Sequence, residues 1–315
     1  EPRHLPRIIE CRDVAGTLTA KAAAELGLCE GTPVYGGGGD ATLIGVGAGA
    51  TEVGQTHIYS GTSGWVGTVM DHQAVDVAAM MAGIVGAEPE KYNYFAEMET
   101  AGKCFEWVKD HLVLDEVNVY LAKTDVETVY ESLYDYMSDT VAKVAPGSGG
   151  VVFTPWLHGN RCPFEDAAAA GMFFNLRLET GKAQMLRAVL EGICFHLRWM
   201  LEVQEKRTKT SDPIRFVGGG ALSPVTCQML ADITGRTIET VENTKDVGAI
   251  GAVMLAAVGS GAFTSLSDAA KLVAVNGTYR PDPANKAVYD RNFRVFRKLY
   301  AANKENFAIL NRLEG

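Results

Sequence analysis

The sequence has no cysteines placed to act together: Cys11, Cys29, Cys104, Cys162, Cys194 and Cys227 are scattered, with no CxxC pair. That spacing excludes a zinc knuckle and offers no disulfide framework, so they read as reduced thiols of a cytoplasmic protein. No apolar run approaches the ~18 residues that a membrane-spanning helix needs, and no signal peptide opens the chain. Basic residues are scarce relative to acidic ones, 29 against 38, and the net charge of −9 argues against nucleic acid or an anionic membrane as the main partner. A GxxxxGK[ST] phosphate loop is absent. The dinucleotide pattern GxGxxG fails as well, because no convincing strand precedes Gly45, Gly47 and Gly49 and Glu52 stands in the third-glycine region. No period of roughly 20–50 residues recurs, which excludes a solenoid. What is left is an ordinary globular composition of 315 residues, 47% apolar and 21% charged, enough for one large core or two smaller ones.

What the chain does have is glycine in runs, most densely between Pro33 and Thr68. Gly36 to Gly39 end an apolar run and deliver the chain to Asp40, which reads as a strand ending at a ligand. A second apolar run, His57 to Ser60, ends in Gly61-Thr62-Ser63-Gly64. Two such turns with small hydroxyls can cradle phosphate oxygens through backbone N–H groups, with Asp40 at the mouth. The competing reading is structural: an Asp just after a turn also serves as a helix cap.

Further along, a helix is expected from Thr19 to Leu26, stopped by Gly27. Asp13-Val14-Ala15-Gly16-Thr17 resembles a DxGT phosphate turn but carries one residue too many and reads as a connector. Helices follow over Glu97 to Leu112 and over 124 to 145, the latter with Val129, Leu133, Tyr136, Met137, Val141 and Val144 as its apolar stripe. Thr154 to Phe174 reads as a loop, where His158, Arg161, Glu165 and Asp166 are a candidate polar cluster better explained as structure near a cleft. A long helix spans Gly181 to Lys206, and His196 within it reads as a packed histidine. Ile214 to Val217 is a strand, Gly218-Gly219-Gly220-Ala221 a tight turn, and Ser223-Pro224 an N-cap and first residue for a helix through Thr234. That strand, turn and helix N-terminus form a perch for adenosine or phosphate. Thr237 to Val241 is a strand, Val247 to Val258 a helix of small residues, and Ala284 to Leu313 a final amphipathic helix.

The order GGGGDA, SGTSGW, Gly-Lys-Cys-Phe-Glu-Trp, GMFFNL, AQMLRAVLEG, GGGALSP and DVGAIGAVMLAAVGSG resembles the C-terminal half of FGGY-family carbohydrate kinases, most of all the xylulokinase-like members. The resemblance covers nearly the whole chain. It implies an α/β domain of the actin-like, ribonuclease-H-like ATPase class, with a mixed sheet flanked by helices. It implies ATP-dependent phosphorylation of a sugar or polyol, with ATP and Mg²⁺ as cofactors and no metal site in the protein itself. Residue by residue, Asp40 becomes the general base that takes the proton of the attacking hydroxyl. Gly61, Thr62 and Ser63 fall at the nucleotide phosphates, Gly102 and Glu106 at further nucleotide contacts, and Gly219, Gly220 and Ala221 at the adenosine side. Arg187 and Glu191 are assigned to structure.

Two positions depart from the family pattern: Pro224 stands where some members carry an amide toward adenine, and Ala41 where several carry a polar amide toward substrate. Family members add a first domain that supplies the DxGT loop and most sugar contacts. With no initiator Met at Glu1, the chain is expected to be a fragment: residues 1–30 a connector from a missing N-terminal kinase domain, residues 31–315 the nucleotide-binding domain, inactive alone. The expected partners are a sugar or polyol, ATP/ADP and that first domain, with a homodimer as an option. The rivals are a non-catalytic actin-like nucleotide-binding module and a hydrolase pairing Asp40 with Glu165 or Asp166.

Overall fold

The computed structural model describes residues 6–112, 130 and 132–311. Its centre is an eight-stranded mixed sheet built from β3 (Thr56–Ser60), β4 (Gly64–Met70), β5 (Val75–Asp76), β6 (Met81–Val85), β7 (Tyr92–Met98), β10 (Ile214–Val217), β11 (Ile238–Val241) and β12 (Val275–Tyr279). The spatial order is β12-β11-β10-β3-β4-β7-β6-β5, with β3, β10 and β11 parallel to one another and every other pairing antiparallel. Central strands are buried on both faces because helices cover both: β3 and β4 are almost wholly buried, whereas the edge strand β12 is largely exposed.

Alternation along the strands divides the core. Ile58, Val66, Ile214, Phe216 and Ile238 point into the large cluster beneath α5 (Lys182–Gln204), α6 (Pro224–Thr234) and α8 (Pro283–Asn311). Tyr59, Trp65, Val217 and Val241 point the other way, toward α2 (Asp40–Gly47) and α7 (Val247–Gly259). These two helices cross almost backbone to backbone. A Cβ on Gly47 would stand 1.8 Å from the Val247 carbonyl oxygen, and one on Gly251 2.1 Å from that of Leu43. Of the alternating glycines after Asp40, Gly47 thus serves the helix crossing.

Several expected elements have the bounds that their capping residues set. Thr19 caps α1 (Ala20–Leu26), which Gly27 ends in a left-handed conformation, and Ser223 and Gly235 do the same for α6. Three expectations need correction. The apolar run before the four glycines is a strand, but not one of the main sheet: β2 (Pro33–Tyr35) is short, largely exposed, and pairs with β1 (Val14–Thr17) in a separate two-stranded sheet. The helix expected from Glu97 is in fact the end of β7, with α3 (Gly102–His111) beginning five residues later. Of the helix expected over 124–145, α4 (Leu133–Ala142) is present with Met137 and Val141 buried, while 124–129 and 131 lie outside the described residues. The last helix runs to Asn311, and 312–313 are likewise outside them. β8 (Val152–Thr154) and β9 (Met172–Phe174) form a small hairpin sheet.

Candidate active site

Three neighbouring parallel strands, β3, β10 and β11, carry the chain to the same edge of the sheet, and each ends in a polar or glycine-rich turn. β3 leads into Gly61-Thr62-Ser63, β10 into Gly218-Gly219-Gly220, and β11 into Thr244-Lys245 ahead of α7. Ligands of open α/β sheets bind outside the carboxyl ends of such strands. The turns are tied together: the Gly218 amide donates to the Thr244 carbonyl at 3.1 Å, the Ala101 amide to the Thr62 carbonyl at 2.9 Å, and the Gly102 amide to the Gly61 carbonyl at 2.7 Å. Gly218 has φ 92°, and a Cβ there would stand 2.7 Å from the Ser60 carbonyl oxygen, so the second turn can lie against the first only with glycine.

Between the turns opens a cleft of about 880 Å³, ample for a nucleotide. Of the residues expected from sequence, Gly61, Thr62, Gly102, Glu106, Gly219 and Gly220 line it together. Ser63 and Ala221 do not: Ser63 closes the hairpin by accepting the Gly61 amide at 2.9 Å, and Ala221 is buried beneath its turn. The cleft also has walls that the sequence reading missed. Lys245 projects from the third strand end and has no ion-pair partner among the described residues. Lys103, by contrast, is held by Glu106 at 2.8 Å. Phe105 and Tyr134, with ring centroids 6.3 Å apart, supply an aromatic flank, and Ser223 with Pro224 supplies the N-terminus of α6.

Asp40 lies outside the cleft lining, exposed as the first residue of α2, with its carboxylate accepting the Ala41 amide at 2.8 Å. Its charge nevertheless reaches the end of β3. The Tyr59 phenol is held above its ordinary pKa first by burial and then by Asp40. Glu97 on β7 is raised by burial against the pull of Arg161, with Glu99 and Asp40 adding to the rise. Tyr59 itself stacks on Trp65 at 4.0 Å, and a Cβ on Gly61 would stand 2.1 Å from its hydroxyl.

In the polar loop 154–174, Arg161 and Asp166 make structural contacts. Arg161 pairs with Glu97 at 2.6 Å and Glu99 at 3.2 Å, and Asp166 accepts from the Tyr300 hydroxyl and the Ala168 amide, both at 3.0 Å. His196 is fully buried, accepting the Trp156 indole N–H at Nδ1 and bonded through Nε2 to the Cys162 carbonyl, and burial lowers its pKa to about 4. Arg187 and Glu191 form a buried pair at 2.8 Å. Among the described residues no group of three or more His, Cys, Asp or Glu is arranged to hold a metal ion.

With this geometry in view, residues 57–260 match the FGGY family of carbohydrate kinases, C-terminal domain. The chain belongs to that family. It is 28% identical over 301 residues to the xylulose kinase of Bacillus subtilis, covering 95% of this chain and 57% of the relative. Ligand-bound xylulose kinase from Lactobacillus acidophilus superposes with a TM-score of 0.84 at 26% identity, over 98% of this chain and 59% of that one. Gluconate kinase from the same organism gives 0.81 at 26% identity, over 96% and 58%. The fold is that of the actin-like ATPase class, and the FGGY chain here spans a little under three fifths of the length of the relatives it matches. No helix among the described residues is long and apolar enough to cross a membrane.

Proposed function

We propose that this domain is the C-terminal half of an ATP-dependent kinase that phosphorylates a hydroxyl of a sugar or polyol, with xylulose as the first substrate to test. The observation that carries the reading is the convergence of three parallel strand ends on one cleft, within a chain whose family is FGGY. Phosphoryl transfer depends on positioning and charge stabilisation more than on covalent chemistry, which suits a site built from backbone N–H groups and small hydroxyls.

In this reading Gly61 and Thr62 receive the phosphates, Gly102 and Glu106 contact the nucleotide, and Gly219 and Gly220 lie at the adenosine, while Ser63 and Ala221 shape the two turns from behind. Lys245 adds a cation and Tyr134 with Phe105 an apolar flank. Mg²⁺ would be carried by the nucleotide phosphates and would neutralise part of their charge. Asp40 accepts the proton of the attacking hydroxyl. Residues 1–30 join this half to an N-terminal domain that brings most of the sugar contacts, and closure of the two completes the site. A metabolic kinase of this type works in the cytoplasm, where ATP is supplied.

The position of Asp40 outside the cleft lining favours keeping one second reading, a nucleotide-binding module without transfer. The test is a coupled assay of the two-domain kinase containing this chain against a panel of ketoses, polyols and sugar acids with MgATP. Acceptor-dependent ADP release supports the kinase. Nucleotide binding without any acceptor-dependent turnover supports the module.

A further inference from the structure

Apart from the cleft lies a second polar arrangement, built on the buried side chains of His57 and Asn93. His57, in the middle of β3, is 1% exposed, with its ring between two glycines. A Cβ on Gly45 of α2 would stand 2.7 Å from its Cε1, and one on Gly67 of β4 2.4 Å from the same atom. The Trp65 indole N–H donates to its Nε2 at 3.1 Å. Nε2 is thereby an acceptor, so the proton of the neutral ring sits on Nδ1, which has no partner.

Asn93 on β7 is 5% exposed and donates from Nδ2 to the Ala41 carbonyl at 2.9 Å. That acceptor fixes which way the amide faces and leaves Oδ1 without a partner. The two unpaired atoms complement each other, a donor and an acceptor. They also converge: the same Cβ position on Gly67 is 2.6 Å from Asn93 Oδ1 and 3.1 Å from His57 Nδ1. Both residues line one cavity of about 30 Å³, the size of a site for one bound water that would satisfy both atoms.

Ala41 is the link to function. Its amide holds the Asp40 carboxylate at 2.8 Å while its carbonyl is held by Asn93 at 2.9 Å, so the two successive peptide groups that flank the Ala41 Cα are each tied by a hydrogen bond. We infer that His57 and Asn93 are positioning residues for Asp40: Asn93 holds the Ala41 carbonyl, His57 backs Asn93 across the shared cavity, and together they fix the first turn of α2, and with it the direction of the carboxylate. The catalytic meaning rests on the kinase reading of Asp40. The clamp itself does not.

Two measurements separate those questions. In the 315-residue chain, hydrogen exchange at the Thr42 and Leu43 amides, which bond back to Gly39, should quicken at least tenfold in Asn93→Ala, with α7 unchanged. His57→Gln, which keeps a polar group in the same space, should quicken them less than His57→Ala does. Equal exchange in wild type and Asn93→Ala overturns the clamp, whether or not any kinase activity is found. In the two-domain kinase, Asn93→Ala should lower kcat at least tenfold while KM for ATP stays within twofold. A loss confined to thermal stability, with kcat per folded molecule unchanged, overturns the positioning role. Absence of activity in wild type would refute the kinase reading and leave the exchange result to judge the clamp. Should Asn93→Ala fail to fold, Asn93→Ser, which retains a hydroxyl donor for Ala41, takes its place, with intermediate exchange and kcat expected and wild-type values for both counting against the clamp.

Discussion

The amide of Gly102 donates to the carbonyl of Gly61 at 2.7 Å, joining the first residue of α3 to the turn that ends β3. A Cβ on Gly102 would stand 2.5 Å from that carbonyl oxygen, so the contact leaves no room for a side chain. Gly102→Ala should therefore displace the Gly61-Thr62-Ser63 turn and weaken MgADP binding at least tenfold, or about 1.4 kcal/mol. Calorimetric titration of the variant checks this. Wild-type affinity in a folded Gly102→Ala protein would remove the turn from the nucleotide site.

The ion pair of Arg187 and Glu191 predicts a stability effect with no direct part in binding. Glu191 also accepts the Gly147 amide at 2.9 Å and the Ser148 hydroxyl at 2.8 Å, and Arg187 donates to the Tyr289 hydroxyl at 2.8 Å and the Val141 carbonyl at 3.1 Å. Burial pushes the Glu191 carboxyl upward against the pull of Arg187 and these donors. Removing one partner strands the other charge in the core. Glu191→Ala should cost about 3–5 kcal/mol of unfolding free energy, read from urea denaturation, with nucleotide affinity of the remaining folded protein unchanged. A cost below about 1 kcal/mol would mean that water reaches the pair.

The crossing of α2 and α7 predicts intolerance of side chains at its two glycines. Gly251→Val would place a branched side chain against the Leu43 carbonyl and should destabilise the fold by at least about 2 kcal/mol. The thermal midpoint of the purified variant is the check. An unchanged midpoint would show that the helices can separate at little cost.

Two buried histidines set a pH dependence. Burial lowers His57 and His196 to about 4, whereas an unfolded histidine titrates near 6.5. Folding is thus unaffected by either ring above about pH 6.5. As pH falls below that value the unfolded chain takes up protons that the native state refuses, and stability declines until the native rings also protonate near pH 4. The loss is on the order of 3 kcal/mol for each histidine. Urea midpoints should be level from pH 8 to 7 and fall steadily from 6.5 to 5, before most carboxylates titrate. A level profile down to pH 5 would contradict the neutral, buried assignment of both rings.

Much of this architecture is legible in local signals, because caps and glycine turns act within a few residues. Thr19 with Gly27, and Ser223-Pro224 with Gly235, set helix ends that the structure reproduces, and Ile214 to Val217 reads as a strand on the same grounds. The candidate cleft was partly legible: its glycines stand in recognisable turns, but Lys245 and Tyr134 join it only because β11 lies beside β10 and α4 packs near α3. The apolar run before Asp40 misleads for a physical reason. Three residues pair with β1 instead of the main sheet, and a pairing partner cannot be read from hydropathy. The His57–Asn93 clamp was invisible for a similar reason, since β4 lies between their strands and only the sheet order brings them to one cavity.

The most direct test of phosphoryl transfer through Asp40 is to replace it by Asn in the two-domain kinase and read turnover and nucleotide binding separately. Removal of a general base should lower acceptor-dependent ADP release by roughly a hundredfold or more, while MgADP affinity stays within about twofold. Turnover at the wild-type rate in Asp40→Asn would contradict Asp40 as the base.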